Sequence, residues 1–284
     1  MAADLAVDVK VRSLADELEW AYAHGERRPS PPSAREGGLT LATAYVLEAE
    51  LARRRQLAGH RTIGLKVGFA NKAMWRILKL ETLVWAHLYD DTVHIARTSR
   101  ATHGLAGRVA PRIEPEIVFK VARALEPGAT DPAAILEGVE WMALGFEIND
   151  CVFPDWKFQP ADFVAAFGFH TALVVGPPRA PRPLDAETLA SFGLRLSKNG
   201  QLVEEGAGKN ALRSPALCLA ELVGALSRQA REASDAGRAT TEPLAAGDLV
   251  STGTLTTPQP IASGETWRAE VDALDLPPLT LDLV

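Results

Sequence analysis

Glu114 and Glu116, separated by one residue in Arg112-Ile113-Glu114-Pro115-Glu116-Ile117-Val118-Phe119, are the pair best spaced to act together on one ligand. Side chains along a strand repeat with period two, so both carboxylates leave the same face with Cβ atoms roughly 6–7 Å apart. Ile113, Ile117 and Phe119 surround them with apolar bulk, where an uncompensated pair of carboxylates costs several kcal/mol or takes up protons. A third acid, Glu147, follows the apolar run Trp141-Met142-Ala143-Leu144-Gly145-Phe146. All-oxygen ligation by these three suits a hard divalent cation, Mg²⁺ or Mn²⁺. The other reading of the same residues is a salt-bridged strand with Arg112 or Lys120 as partner.

The elements around the acids are read from hydrophobic period and turn chemistry. Leu14, Leu18 and Tyr22 predict a helix over 5–24 that Gly25 ends, and Thr40 is placed to cap a second over 41–58. A Pro- and Ser-rich linker, 26–38, joins them. Together residues 1–60 form a small helical cap, and 61–284 the main domain. In the strand 61–69, Ile63, Leu65 and Val67 share one face, while Lys66 lies on the other between glycines that admit an anionic group. Its alternative role is that of an edge-strand lysine that discourages aggregation. Asp90-Asp91 ends the next aromatic-rich stretch as an Asx turn, and 97–107 reads as a loop. Asp131-Pro132 starts a helix to about Val139, leading into the Glu147 strand. Residues 151–162 read as a loop and 164–176 as one long apolar run containing His170, which by itself is a hydrogen-bonded core residue. Asn199-Gly200 marks a hairpin, Ser214-Pro215 starts an amphipathic helix to about Ala233, and Ser251-Thr252-Gly253 ends a strand with hydroxyls and amides able to cradle a carboxylate. Strands dominate the second half, which favours an antiparallel or mixed β core over a doubly wound sheet.

Composition narrows the function further. A chain of 284 residues with net charge −6 and no long block of Lys or Arg has no electrostatic footprint for nucleic acid. No stretch is apolar enough to span a membrane and the start has no leader pattern, so a cytoplasmic protein is expected. Cys151 and Cys218 are too few for a disulfide framework, and Cys151 reads as a small apolar residue. Glycine patterns for dinucleotides or phosphate loops are absent, as is Gly-x-Ser-x-Gly.

In this order and spacing, Gly64-Leu65-Lys66-Val67-Gly68, Pro111-Arg112-Ile113-Glu114-Pro115-Glu116-Ile117, Phe146-Glu147-Ile148, Asp155-Trp156-Lys157 leading to Asp162, Asn199-Gly200 with Gly206-Ala207-Gly208, and Ala246-Gly247-Asp248 through Thr252-Gly253 resemble the 2-keto-4-pentenoate hydratase and 4-oxalocrotonate decarboxylase branch of the fumarylacetoacetate hydrolase superfamily. The resemblance covers nearly the whole chain. It implies an α+β fold around a mixed β-roll and a divalent metal on Glu114, Glu116 and Glu147. It also implies a small 2-oxo acid substrate that chelates the metal and reacts through an enolate, and a homo-oligomer, with a complex with a related subunit as a further possibility. Lys66 is then a cation near the substrate, Asp91 a proton shuttle, Lys157 a further catalytic candidate, and Thr252, Ser251 and Asp162 contacts to the substrate.

One departure bears on the reaction. Where typical hydratases continue after the aspartate matching Asp162 with Ala-Asp-Asn-x-Ser, this chain reads Ala165-Ala166-Phe167-Gly168-Phe169-His170. The exchange gives either a more apolar pocket wall with His170 as a replacement acid or base, or a repacked core. Hydration of a 2-hydroxypenta-2,4-dienoate-type acid stands first, ahead of decarboxylation of a 2-oxo-3-enedioate. Carbon–carbon hydrolysis of an acylpyruvate needs an activated water, and no His–Glu dyad is evident in the sequence; a histidine hydrogen-bonded to a glutamate near the metal would revive that reading. The non-enzymatic alternative is a partner subunit, against which the retention of all three glutamates argues.

Overall fold

The structure, a computed structural model, describes residues 2–235 and 243–284, with side chains for 9–232 and 243–284. Two helices open the chain, α1 (Ala2–His24) and α2 (Leu41–Leu57). Next come β1 (Thr62–Gly68), α3 (Lys72–Leu78), β2 (Val84–Tyr89), β3 (Val93–Ile95), β4 (Arg100–His103) and β5 (Pro111–Val121). The middle holds α4 (Pro132–Leu136), β6 (Val139–Asp150), α5 (Pro160–Ala165), β7 (His170–Val175) and α6 (Asp185–Ser191). The last third holds β8 (Gly193–Lys198), β9 (Gln201–Ala207), α7 (Pro215–Asp235), β10 (Leu249–Ser251), β11 (Gln259–Pro260), β12 (Thr266–Val271) and β13 (Leu279–Leu283). None of the described helices is long and apolar enough to cross a membrane.

Helix starts follow local chemistry. The Thr40 side chain accepts the Thr43 amide, Asn71 the Ala73 amide and Asp131 the Ala133 amide, so each satisfies an otherwise orphaned donor. Four expectations differ. The helix after Asp131 stops at Leu136, because the chain turns at once into β6. The segment 97–107 contains β4, whose pairing with the distant β13 leaves no local signal. α5 begins at Pro160, within the stretch expected as loop. The apolar run 164–176 is divided between the end of α5, a turn at Phe167–Phe169, and β7.

Two sheets result, ordered β2-β1-β10-β5-β6-β7-β3, with β11 beside β5, and β4-β13-β12-β8-β9. β1 with β10, β3 with β7 and β4 with β13 pair parallel, the rest antiparallel, so both sheets are mixed. β5 and β6 form the spine. Their register sets Glu114 opposite Glu147, Glu116 opposite Gly145 and Val118 opposite Ala143, and directly opposed residues share a face. The alternate residues Ile113, Ile117 and Phe119 enter the main core with Phe146, Ile148, Val174 and Trp267. On the acid-bearing face the floor is a smaller cluster of Leu88, Val118, Ala143, Leu173, Val175 and Leu249. α1 and α2 share a third cluster with Phe153, Phe163, Val164 and Phe169.

β1 reaches β10 only because residue 64 is glycine. Its φ is 149°, and a Cβ there would lie 1.9 Å from the Leu249 carbonyl oxygen. Gly64→Ala must therefore push apart the strands that carry Lys66 and Ser251, and is expected to cost about 2–4 kcal/mol of stability in urea unfolding. A loss below about 0.5 kcal/mol would show that the strand contact is not the constraint described.

Candidate active site

Glu114, Glu116 and Glu147 present carboxylate oxygens within 4.8 Å of one another. Glu116 and Glu147 are fully buried, and Glu114 keeps partial exposure. Glu116 is fixed by its neighbour strand: Ser251 Oγ donates to its Oε2 at 2.5 Å and the Gly253 amide at 2.9 Å. Its other oxygen, Oε1, is buried and has no protein partner. Lys66 reaches over from β1, with Nζ 2.8 Å from Glu147 Oε2, 2.8 Å from Asn149 Oδ1 and 2.8 Å from the Gly168 carbonyl. Asn149 Nδ2 also lies 3.2 Å from Glu147 Oε2. The remaining oxygen, Glu147 Oε1, is 2.9 Å from His170 Nδ1, and His170 Nε2 is 2.9 Å from Thr92 Oγ1.

The turn over Lys66 comes from the segment that departs from the hydratase pattern. Phe167, Gly168 and Phe169 all take left-handed backbone, with φ of 55°, 59° and 58°. For the two phenylalanines this costs of order 1 kcal/mol each. Phe169 is buried among Phe153, Phe158, Phe163 and Trp156 in edge-to-face contacts, and the half-buried Phe167 meets Tyr22 edge-on. The result is a carbonyl, that of Gly168, aimed at the ammonium. A Cβ on Gly168 would lie 2.8 Å from that of Ala86 and 3.1 Å from Lys66 Cδ.

Charge dominates the site. Burial pushes the Glu114 carboxyl up to about 7, with Lys66 opposing and Glu147 adding to the rise. Burial, then Glu147 and Glu114, hold Glu116 well above the usual carboxylate range. Burial also raises Glu147, but the Lys66 ammonium and the bonds from His170 and Lys66 outweigh it, and the net shift is down. His170 is lowered, chiefly by burial. One lysine cannot neutralise three acids, so a cation between them fits both the carboxylate donor set and the unpartnered Glu116 oxygen.

The other expected site residues lie elsewhere or are otherwise engaged. Thr252 Oγ1 donates to the Ile117 carbonyl, and Ser251 serves Glu116, so neither hydroxyl is a free donor for substrate. Asp162 is buried at the start of α5, accepting from Gln159 N, Ser33 N and Ser33 Oγ; its role is to tie the linker after α1 to that helix. Lys157 is at the surface beside Asp155. Asp91 is paired with Arg55 and lies 3.5 Å from His60 Nδ1. His60, Asp90 and Asp91 could hold an ion by distance, but Arg55 and Arg61 already supply positive charge there. Sequence reasoning missed Asn149 and the Gly168 carbonyl, and it found no His–Glu dyad, whereas His170 and Glu147 form one. Both of its imidazole nitrogens have partners, so it stands behind the carboxylate rather than beside a reacting water.

The Fumarylacetoacetate (FAA) hydrolase C-terminal family model matches residues 85–280, well over half of the chain. The chain belongs to the fumarylacetoacetate hydrolase family. Within that family it is 33% identical over 218 residues to a 2-hydroxypent-2,4-dienoate hydratase of Pseudomonas putida, covering 76% of this chain and 95% of the relative. It is 29% identical over 266 residues to a 4-oxalocrotonate decarboxylase of a Pseudomonas species, covering 94% and 96%. Its fold superposes on 4-oxalocrotonate decarboxylase from Pseudomonas putida G7, complexed with magnesium and adipate, with a TM-score of 0.84, 23% identity and 98% of each chain covered. The mixed β fold is thus that of the fumarylacetoacetate hydrolase family.

The raised carboxyls give the metal-free protein a pH signature. A group whose folded pKa exceeds its unfolded value holds its proton more tightly in the folded state, so its stabilising contribution is lost as pH rises through the folded pKa. With Glu114 near 7 and Glu116 also raised, the melting temperature in a chelator is expected to fall as pH rises from about 5 through 7. Excess Mg²⁺ or Mn²⁺ should flatten that slope by taking the place of the protons. A chelated protein whose melting temperature rises or stays level across this range would contradict the charge balance described.

Proposed function

We propose that the chain is a divalent-metal-dependent lyase that hydrates a 2-hydroxypenta-2,4-dienoate-type acid to a 4-hydroxy-2-oxo acid. The observation that carries this reading is the convergence of Glu114, Glu116 and Glu147 with the Lys66 ammonium on one buried face. The names of the curated relatives, hydratase and decarboxylase, support it. Glu114, Glu116 and Glu147 would hold Mg²⁺ or Mn²⁺, which when bound supplies Lewis-acid stabilisation of negative charge on the C2 oxygen of a 2-oxo acid.

The protein's own groups account for the rest. Ser251 and the Gly253 amide hold one Glu116 oxygen and leave the other free toward the cation. Lys66, oriented by Glu147, Asn149 and the Gly168 carbonyl, offers a positive charge beside the substrate's anionic end. The ring of Phe163, 4.9 Å from Lys66 Nζ, and the buried Phe169 exclude water from the ammonium and strengthen its field. The chemistry to be served is loss of the enol proton with protonation at C5, which gives a conjugated enone, followed by addition of hydroxide at C4 and a proton at C3. Asp91, Lys157 and Thr252 take no part in this scheme, being engaged with Arg55, Asp155 and the Ile117 carbonyl.

Decarboxylation of a 2-oxo-3-enedioate is the second reading, favoured by the relative that matches almost the whole chain. The same electron sink would accept the pair left by the departing carboxylate. An ultraviolet assay of metal-stripped protein with 2-hydroxypenta-2,4-dienoate and with 2-oxohex-3-enedioate, before and after Mg²⁺ or Mn²⁺, decides between them. Metal-restored consumption of the dienoate is expected, with kcat/KM lowered at least about 10³-fold in Glu116→Ala and about 10²-fold or more in Lys66→Met. Turnover that persists in chelator, or in Glu116→Ala at the wild-type rate, removes the lyase reading.

A further inference from the structure

His170 is the one residue of the Ala165–His170 departure whose side chain hydrogen-bonds an acid of the cluster. It opens β7 opposite Asn149, where a bulge between Ile148 and Asn149 shifts the register, and its ring is buried. The Glu147 carboxylate can only accept, so Nδ1 must carry a hydrogen. With a single hydrogen on Nδ1, Nε2 is an acceptor, and the Thr92 hydroxyl 2.9 Å away is the donor that suits it. Thr92 Oγ1 also lies 3.1 Å from the Tyr89 carbonyl, but its single hydrogen serves one acceptor at a time. The Thr92 backbone is fixed in turn, because its carbonyl accepts the Leu173 amide of β7.

We infer that His170 is a positioning residue for the metal: anchored at Nε2 by Thr92, it clamps Oε1 of Glu147 and presets that carboxylate for the cation. The inference rests on the reading of the three glutamates as a metal site, and it gives the aromatic segment's histidine a task distinct from acid–base catalysis. Lys66 and Asn149 both act on Oε2, so among the described residues His170 is the only partner of Oε1. Without it the carboxylate can rotate about its terminal bond, and the site must be ordered by the ion at the moment of binding.

The test is calorimetric titration of chelator-stripped protein with Mn²⁺, with thermal melting of each variant as a check on folding. His170→Ala is expected to weaken Mn²⁺ binding about 10- to 100-fold. His170→Asn places an amide N–H where Nδ1 stood and should keep most of the affinity, whereas His170→Gln, whose amide reaches the Nε2 position, should not. Thr92→Val should lose affinity in the same direction by a smaller factor, since the ring then loses its hydrogen bond at Nε2 and is held less firmly against Glu147. Wild-type Mn²⁺ affinity in His170→Ala, with or without a lowered melting temperature, overturns the inference, and so does a Gln variant that binds better than the Asn variant. Failure of the wild-type protein to bind Mn²⁺ in a Glu116-dependent way would instead remove the metal-site reading itself.

Discussion

Three carboxylates and one ammonium share a volume with almost no solvent, and the surrounding structure answers that imbalance. Two negative charges in excess at such depth cannot be left to the medium, because desolvation exceeds what a single ion pair returns. The metal-free protein meets the excess with raised carboxyl pKa values on Glu114 and Glu116 and with hydroxyl, amide and imidazole donors aimed at the oxygens. A divalent cation meets it in one step. On the proposed metal reading, the same groups that make the acids tolerable without metal would orient them for it.

Orientation begins with strand pairing. β5 and β6 pair over almost their full lengths, and the register that puts Glu114 across from Glu147 also sends the intervening isoleucines and phenylalanines into the opposite core. A slip of one residue would bury the acids in that core and expose the apolar face. Packing of the larger core and geometry of the acids are therefore one constraint. Small residues complete it: Gly64 lets β1 close on β10, bringing Lys66 beside Ser251, and Gly145 leaves room opposite Glu116.

Legibility followed the range of the cause. Period two made Glu114 and Glu116 readable as a pair, and alternation put Lys66 apart from Ile63, Leu65 and Val67. Asn199-Gly200 announced its hairpin, and Thr40 and Asp131 their helices. Glu147 was readable as a buried acid, and its place across from Glu114 follows only from register. What stayed hidden depends on partners far apart in sequence: β4 against β13, the Gly168 carbonyl on Lys66, and Thr92 behind His170. Asp91, Asp162 and Thr252 carry the right chemistry, but the fold commits each to a neighbour that no spacing rule reveals, and it leaves Lys157 at the surface.

The third apolar cluster, which unites α1 and α2 with residues 151–169, has a consequence for modularity. Leu47 and Leu51 pack in the same cluster as Phe163 and Phe169, the rings that seal Lys66, and Ser33 bonds to the aspartate that starts α5. The first sixty residues are thus no detachable appendage that could be exchanged while the β domain stays as it is. Grafting the helices of a relative onto this sheet would reshape the aromatic wall over Lys66, so the amino-terminal helices and that wall must change together as such proteins diverge.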